Sequence, residues 1–371
     1  MTSRTLPPTS RKEILRDVQR LVVKVGSTVL SGGNAILHQA TVDRIASDLA
    51  GLRRKGREVI LVSSGAILAG MGQLGLKEKP KNIPVKQAAA AVGQNYLMRS
   101  YEEAFGPHGQ KVAQVLLTQD DLRSRVRYLN ARNTLFALLG LQVIPVINEN
   151  DTVAVEEIKF GDNDNLSALV ATLVDADLLV ILTDTEGLYT SDPRKDPSAR
   201  LVPLVKRITE EVRLWAGDSA TGLGTGGMST KVSAARIAAS SGIPTIVASG
   251  LEEGTLRRIF AGEVVGTLFL PRVSKMKSRK RWLAFATHPH GQIVVDEGAK
   301  RALIQAGRSL LPSGVLATPR PFQVGDAVSL LDSHGMEFAR GLANYCSEEV
   351  DKIRGLKTAE EKARSDKYYD S

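Results

Sequence analysis

Short apolar runs rich in Val and Ile alternate with longer helix-like stretches up to about Pro271. Six of the runs are apolar on both faces, which is typical of strands buried in a parallel sheet. They are LVVKV (21–25), EVILVSS (58–64), KVAQVLL (111–117), QVIPVI (142–147), DLLVILT (177–183) and PTIVAS (244–249). Helix-like stretches lie between them at 41–54, 84–105, 121–139, 163–174 and 228–241. The alternation predicts an α/β fold with helices on both faces of a mostly parallel central sheet.

The pattern changes after Pro271, where a basic, polar stretch indicates a linker. Short β-like pieces follow, separated by Gly, Pro and Asp turns, and they predict a small, β-barrel-like domain. These pieces are WLAFA, GQIVVD, GVLAT, DAVSLL and EFARGLA. The predicted organisation is an N-terminal extension (1–18), an α/β domain (19–272), a linker (273–282), a β domain (283–358) and a polar tail (359–371).

Composition narrows the class of protein. The chain has 371 residues, of which 43% are hydrophobic and 24% charged, as expected for a soluble protein with two domains. The longest nearly uncharged apolar run, 135–147, is too short to span a bilayer, and the N-terminus lacks the apolar centre of a secretory signal. Cys346 is the only cysteine, which excludes an internal disulfide and a cysteine-based zinc site. We therefore expect a cytoplasmic protein with no membrane partner.

The net charge of +9 is densest from Pro271 onward. An excess of this kind suits a polyanionic partner, but it also suits an ordinary soluble surface.

A glycine-rich stretch, GLGTGGMSTK (222–231), precedes one predicted helix. It is not a Walker loop, because Lys231 follows Thr230 rather than a glycine. Glycines still allow backbone N–H groups to converge on an anion, and the helix start adds its positive end. The stretch is therefore either a phosphate-binding loop or a flexible surface loop that carries a lysine.

A second lysine lies inside an apolar strand, in VVKVGSTVL (22–30). Burying Lys24 without an anion is costly, so we expect it at the carboxyl end of the strand, where ligands bind in open α/β sheets. Gly26 and Ser27 follow and can bring backbone donors to a phosphate. The alternative is a lysine on an edge strand that faces water.

Polar clusters follow three further strands. Asn148–Asp151 come after one strand, and GDNDN (161–165) opens a helix with more Asp and Asn than a single N-cap needs. This surplus favours a site that binds an amino acid or orders cationic groups. Ser64, in VSSGAI, either donates to a carboxylate or caps a helix. Thr183 and Asp184 end a strand before a loop long enough to enclose a nucleotide base.

These stretches occur in an order and spacing that resemble the amino acid kinase superfamily, most closely its glutamate-phosphorylating branch. The matching pieces are VKVGSTVL, VSSGAI, NEND…GDNDNLSA, LTDTEGLYTSDPR and GTGGMSTK. VDEGAKRAL, SLLPSGV, FQVGDAVSL and GLANYCSEEV resemble a PUA domain. The resemblance implies the superfamily's three-layer sandwich followed by a PUA domain.

The resemblance also implies roles for individual residues. Lys24 and Lys231 are expected to contact the transferring phosphoryl group, while Asp164 holds both lysines. The expected substrate-binding set is Ser64, Asp151, Asp162 and Asn163. The expected ATP-binding set is Lys24, Gly26, Ser27, Thr183, Asp184, Thr225, Gly226, Gly227, Met228, Ser229, Thr230 and Lys231. No metal ligand is assigned.

The activity implied by the resemblance is phosphorylation of the γ-carboxylate of L-glutamate by ATP with Mg²⁺. The product, γ-L-glutamyl phosphate, begins proline biosynthesis, and the resemblance further implies feedback inhibition by proline and a homo-oligomer, a dimer or a tetramer. This chemistry needs no general base, because a carboxylate is already nucleophilic, and Asp151 is a candidate partner for the substrate's ammonium group.

Two alternatives remain open at this stage. The first keeps the kinase fold but changes the substrate to N-acetylglutamate or carbamate, although the acidic clusters favour a substrate with a free amino group. The second is an RNA-binding protein, because PUA domains are commonly RNA modules. The C-terminal region lacks an evident run of aromatics for stacking bases, so RNA is the secondary alternative.

Overall fold

A computed structural model describes residues 11–32, 36–78, 80–153, 163–217, 227–271, 289, 291–306, 310–324 and 326–356. The chain divides into two compact units, Met1–Asp121 with Tyr128–Ser278, and Leu122–Arg127 with Arg279–Ser371. The strands of the first unit are β1 (Arg20–Val25), β2 (Glu58–Ser63), β3 (Lys111–Leu117), β4 (Val143–Glu149), β5 (Leu178–Thr183), β6 (Leu204–Val205), β7 (Thr245–Ser249) and β8 (Thr267–Phe269).

These strands form one eight-stranded sheet among the described residues, in the order β3-β4-β2-β1-β5-β7-β8-β6. Six of the neighbouring pairs are parallel, and β7 with β8 is antiparallel. The predicted α/β fold with a mostly parallel sheet is therefore confirmed. At its centre, β1 lies between β2 and β5, with Lys24 opposite Val62 and Ile181.

One strand departs from the prediction of burial on both faces. The central strands β1, β2 and β5 are buried over almost their whole length, but β3 lies at the edge of the sheet and is buried only at Leu117. An apolar run alone does not distinguish an edge strand from a central one, because the neighbours that cover it come from elsewhere in the chain.

The helices described for the first part of the chain mostly connect consecutive strands. They are α1 (Arg11–Arg16), α2 (Ser27–Leu30), α3 (Gln39–Arg54), α4 (Ala66–Gln73), α5 (Ile83–Phe105), α6 (Gln119–Arg123), α7 (Arg125–Gly140), α8 (Asn163–Leu173), α9 (Glu210–Trp215), α10 (Met228–Ser240) and α11 (Thr255–Phe260). Instead of the single helix predicted at 121–139, the structure has two, α6 and α7, with Ser124 between them.

The main hydrophobic core lies between the sheet and the helices on one of its faces. Leu15 and Val18 belong to this core, so residues of the predicted N-terminal extension pack onto the first unit. Two glycines bring α4 and α5 into backbone contact. A Cβ on Gly70 would lie 1.8 Å from the carbonyl oxygen of Ala89, and one on Gly93 would lie 1.9 Å from that of Ala66.

The second unit contains a small mixed sheet with its own core. Its strands are β9 (Gly291–Val295), β10 (Val315–Arg320), β11 (Ala327–Leu331) and β12 (Glu337–Leu342), in the order β10-β9-β11-β12, and its helices are α12 (Glu297–Ala306) and α13 (Ser347–Ile353). Four of the predicted β-like pieces are thus strands, and WLAFA lies outside the described residues. Among the helices described, none combines the length and apolar character needed to cross a membrane.

Candidate active site

The predicted site residues that the structure describes gather at one edge of the first unit's sheet. Lys24 is the penultimate residue of β1, Ser64 follows β2, Asp151 comes shortly after β4, and Thr183 ends β5. Parallel strands carry their carboxyl ends to the same edge, which is where ligands bind in open α/β sheets.

Lys24, Asp164 and Lys231 form a buried charged cluster. The Nζ atom of Lys24 lies 2.7 Å from Oδ1 of Asp164, and Nζ of Lys231 lies 3.1 Å from Oδ2 of the same carboxylate. The three side chains come from β1, α8 and α10, and at most 6% of each residue is exposed. Lys24 therefore has a buried carboxylate partner, and the alternative of a water-facing lysine on an edge strand is wrong.

The charges of this cluster do not balance within it. Burial acts to raise the pKa of Asp164, but the two ammonium groups, together with hydrogen bonds from Lys24 and Thr230, outweigh it and hold the pKa at about 2. Asp164 is thus ionised at neutral pH. Two ammonium groups converge on one carboxylate, and cationic donors held in this way suit an anion such as a phosphoryl group.

The start of α10 connects the cluster to the glycine-rich stretch. Thr230 donates from Oγ1 to Oδ2 of Asp164 at 2.7 Å and is also 2.8 Å from the carbonyl oxygen of Gly227, the N-cap residue. Lys231 lies 3.4 Å from the same carbonyl oxygen. Met228 and Ser229 occupy the first turn. The free N–H groups of such a turn are suited to an anion.

The ends of β1 and β5 are joined directly. The backbone N–H of Gly26 donates to the carbonyl oxygen of Leu182 at 3.3 Å, and Ser27, which is exposed, begins α2. Thr183 is buried and donates from Oγ1 to Oδ1 of Asp184 at 2.9 Å, while Asp184 itself is exposed. The two sequence motifs that hold these residues therefore lie side by side.

Neutral amides lie beside the charged cluster. Nδ2 of Asn163 donates to Oγ of Ser64 and to Oδ1 of Asn148, both at 3.0 Å. Asn148 is 1% exposed and Asn163 is 8% exposed. The backbone N–H of Ser64 donates to the carbonyl oxygen of Val25 at 3.1 Å, which ties the end of β2 to β1. Because Ser64 accepts from Asn163, its own hydroxyl proton is available to a ligand.

A pocket of about 340 Å³ opens on this side of the sheet edge. Its wall includes Asp151, Asn150 and Glu149 from the end of β4, and Gln94 from α5. An acidic, amide-lined pocket of this kind suits a small polar molecule that carries a cationic group.

Comparison with known proteins bears on what such a site does. A model of the amino acid kinase family matches residues 19–249, which include every site residue named above. The chain belongs to the amino acid kinase family. A PUA domain model matches residues 291–363, a range that includes the small mixed sheet.

The amino acid kinases most similar to this chain include three glutamate 5-kinases. That of Pelobacter propionicus is 56% identical over 349 residues, 94% of each chain, and that of Geobacter sp. (strain M21) is 53% identical over 94% of each chain. That of Moorella thermoacetica is 53% identical over 93% of this chain and 92% of its own. Among solved structures, a UMP kinase from Bacillus anthracis covers 69% of this chain and 97% of its own, with 17% identity and a TM-score of 0.45, which is too distant to inform the site.

Three of the predicted site residues, Asp162, Thr225 and Gly226, lie outside the described residues. The described residues contain no group of three or more His, Cys, Asp or Glu side chains placed to hold a metal ion.

Sequence reasoning gave no role to two contributors to this amino acid kinase site. Asn148 lies at the centre of the amide group, and the sequence marks it only as a member of the polar cluster Asn148–Asp151, without a role of its own. Tyr101 on α5 is fully buried, and its hydroxyl lies 2.8 Å from Oγ of Ser63, the residue before Ser64. Nothing near Tyr101 in the sequence points to that contact.

Proposed function

We propose that this chain transfers the γ-phosphoryl group of ATP to the γ-carboxylate of L-glutamate, giving γ-L-glutamyl phosphate and ADP, the first step of proline biosynthesis. The observation that carries the proposal is the buried cluster in which Lys24 and Lys231 share Asp164 beside a group of neutral amides. High similarity to glutamate 5-kinases over nearly the whole chain supports the choice of substrate.

The chemistry matches these side chains. A carboxylate oxygen of glutamate attacks the γ-phosphorus, the bond from that phosphorus to the β,γ-bridging oxygen breaks, and ADP departs with the electron pair. The nucleophile has no proton to lose, so no general base is required. The protein has to bring two anions together in line and to offset their charge. In this proposal Lys24 and Lys231 contact the transferring group, and Asp164 keeps both ammonium groups in position.

The amino acid would bind on the amide side of the site. Ser64 donates its free hydroxyl proton to a substrate carboxylate, and Asn163 holds Ser64 in place. Asp151, in the wall of the pocket, pairs with the ammonium group. Asp162 completes the set by resemblance to the family. L-glutamate carries a free ammonium group that can pair with Asp151. N-acetylglutamate and carbamate carry no positive charge and cannot form that pair.

The nucleotide would bind across the ends of β1 and β5 and the start of α10. Gly26, Ser27, Gly227, Met228, Ser229 and Thr230, with Thr225 and Gly226, supply donors to the phosphates, and Thr183 and Asp184 lie on the nucleoside side. Mg²⁺ would enter on the phosphates of ATP, as it commonly does in phosphoryl-transfer sites, and would offset their charge.

Three further features are proposed from the family resemblance. They are feedback inhibition by proline near the glutamate site, assembly into a homo-oligomer (a dimer or a tetramer), and a cytoplasmic location.

The match to a PUA domain supports RNA as a second candidate partner. Fluorescence anisotropy of the full chain with labelled RNA at two salt concentrations tests that candidate. Tight, salt-dependent binding would favour it, and millimolar binding would remove it.

The test of the proposed activity uses purified protein with Mg-ATP, L-glutamate and hydroxylamine. Hydroxylamine traps an acyl phosphate as a hydroxamate, so γ-glutamyl hydroxamate is the expected product. Hydroxamate from another acid but not from glutamate would keep the kinase chemistry and overturn the substrate. No product with any acid would contradict the proposed function.

A further inference from the structure

A line of side-chain amides leads from the substrate side of the site to α5. Asn148 donates from Nδ2 to Oε1 of Gln94 at 2.9 Å, and Gln94 donates from Nε2 to Oε1 of Gln114 at 3.0 Å. Asn148 in turn accepts from Asn163, which donates to Ser64. No sequence motif includes Gln94, and the mechanism above gives it no role.

Backbone groups fix the direction of this amide line. Nδ2 of Asn163 lies 3.4 Å from the carbonyl oxygen of Ser63, which can only accept. The backbone N–H of Glu149 can only donate, and it donates to Oδ1 of Asn148 at 2.9 Å. Asn148 must therefore present its oxygen to Asn163 and its NH₂ group to α5. At 1% exposure, that NH₂ group needs an acceptor within the protein, and Oε1 of Gln94 is the acceptor that it has.

The position of Gln94 is set by the backbone contact between α4 and α5. Gly93, the preceding residue, lies against the carbonyl oxygen of Ala66 so closely that a Cβ would not fit. Ala66 begins α4, two residues after Ser64. The contact therefore fixes Gln94 relative to the turn that carries Ser64. Gln94 also lines the same pocket as Asp151, on the amino-acid side of the site.

We propose that Gln94 is a positioning residue for the amino acid substrate. By accepting from Asn148, it keeps Oδ1 of Asn148 facing Asn163, and Asn163 in turn keeps the hydroxyl of Ser64 directed to the ligand. Without that acceptor, the buried NH₂ group of Asn148 loses its partner and Asn148 is held only through Oδ1, so its side chain and its bond to Asn163 are less firmly placed. This inference rests on the proposed function, because it assigns Gln94 to the glutamate side of that reaction.

Gln94→Met tests the role, because it keeps the length of the side chain and removes the acceptor. We expect the KM for L-glutamate to rise about five- to tenfold, the size expected for one neutral hydrogen bond, with kcat and the KM for ATP changed less than about twofold. Gln94→Asn, which is one methylene shorter and stays polar, should give the same pattern, and it replaces Gln94→Met if that variant does not fold. Gln114→Met should have a much smaller effect, because Asn148 keeps its acceptor.

The matched control is Glu102→Gln, an exposed residue on the same helix α5 that is not part of the pocket wall, and it should leave all three constants unchanged. If Gln94→Met folds and its KM for glutamate stays at the wild-type value, the positioning role is wrong and the proposed function stands. A parallel change in kcat and in both KM values would also overturn the role, because it would indicate general loosening. A wild-type protein that makes no hydroxamate from glutamate would overturn both proposals.

Discussion

Two neighbouring side chains at the start of α8 belong to different networks. Asn163 joins the neutral amides of Ser64, Asn148 and Gln94. Asp164 joins the charged cluster of Lys24 and Lys231. Both residues are buried, and one peptide bond separates them. One turn of helix thus contributes to a neutral and to a charged network.

The two networks differ because one contains charged side chains and the other contains neutral amides. Charged groups buried together must be paired closely, because a lone buried charge is costly, and here two lysines share the carboxylate of Asp164. Neutral amides carry a smaller desolvation cost and have directional donors and acceptors, so they can orient a ligand without adding to the charge. In our account the charged network lowers the barrier, and the amide network selects and orients the amino acid.

Asp164→Asn should produce the largest change. It removes the carboxylate that the two buried lysines share, and breaking a buried ion pair in this way costs about 3–5 kcal/mol of folding free energy. Urea unfolding at neutral pH measures the loss. Asp175→Asn is the matched control, because Asp175 lies just after α8 and also forms an ion pair, with the half-buried Arg132. The backbone of Asp175 is left-handed, which Asn tolerates. An equal loss of folding free energy in the two variants would show that the carboxylate of Asp164 stabilises the fold no more than that of a half-buried ion pair.

Lys24→Met and Lys231→Met should act mainly on kcat. Each removes one donor to the developing phosphoryl charge, and loss of one such group costs about 10²–10³-fold in kcat. The KM for glutamate should change little. The exposed Lys206 supplies the control, and Lys206→Met should retain wild-type rates. A normal kcat in either site variant would remove that lysine from the mechanism.

Stability at low pH should depend on Asp164. Its pKa is depressed from 3.8 to about 2 in the folded protein, so its ionised form stabilises the fold fully above pH 3.8, and the contribution is lost as the pH falls toward 2. The contribution is about 2 kcal/mol. Thermal unfolding between pH 5 and pH 2 should show wild type losing more stability than Asp164→Asn. The same loss in both proteins would show that other carboxylates account for it.

Ser64→Ala should give the smallest of these effects, on the amide side alone. Removing one hydroxyl donor to the substrate should raise the KM for L-glutamate about tenfold, the upper range for a neutral hydrogen bond. The KM for ATP should not follow. A change in the KM for ATP as large as that for glutamate would argue against the assignment of Ser64 to the amino acid.

Much of the first unit could be predicted from the sequence, because its central strands are apolar on both faces and five of its helices have eleven residues or more. The helix predicted at 84–105 is Ile83–Phe105, and the strand predicted at 111–117 is Lys111–Leu117. The strands β6 and β8, with two and three residues, are too short to produce a pattern. The edge position of β3 depends on which strands pair with it, and the apolar pattern carries no signal for the break at Ser124.

The charged cluster could be anticipated in part, and the amide line could not. A lysine inside an apolar strand requires a partner, so the surroundings of Lys24 indicate one, and the glycine-rich stretch before Lys231 indicates a phosphate site. The resemblance supplied Asp164 as the residue that holds both lysines. The bond from Asn148 to Gln94 joins residues 54 positions apart. Gln94 lies in a helix of small residues with no motif, and only the close contact between α4 and α5 gives it a role.

The central claim is that the amide network binds the amino acid and that the charged network stabilises the transferring phosphoryl group. Steady-state measurements on Asn163→Ala and Lys231→Met, with L-glutamate and ATP varied separately, test it most directly. The account predicts that Asn163→Ala mainly raises the KM for glutamate and that Lys231→Met mainly lowers kcat. If both variants lower kcat to the same extent and leave the KM for glutamate unchanged, the two networks have the same role in catalysis, and the account is wrong.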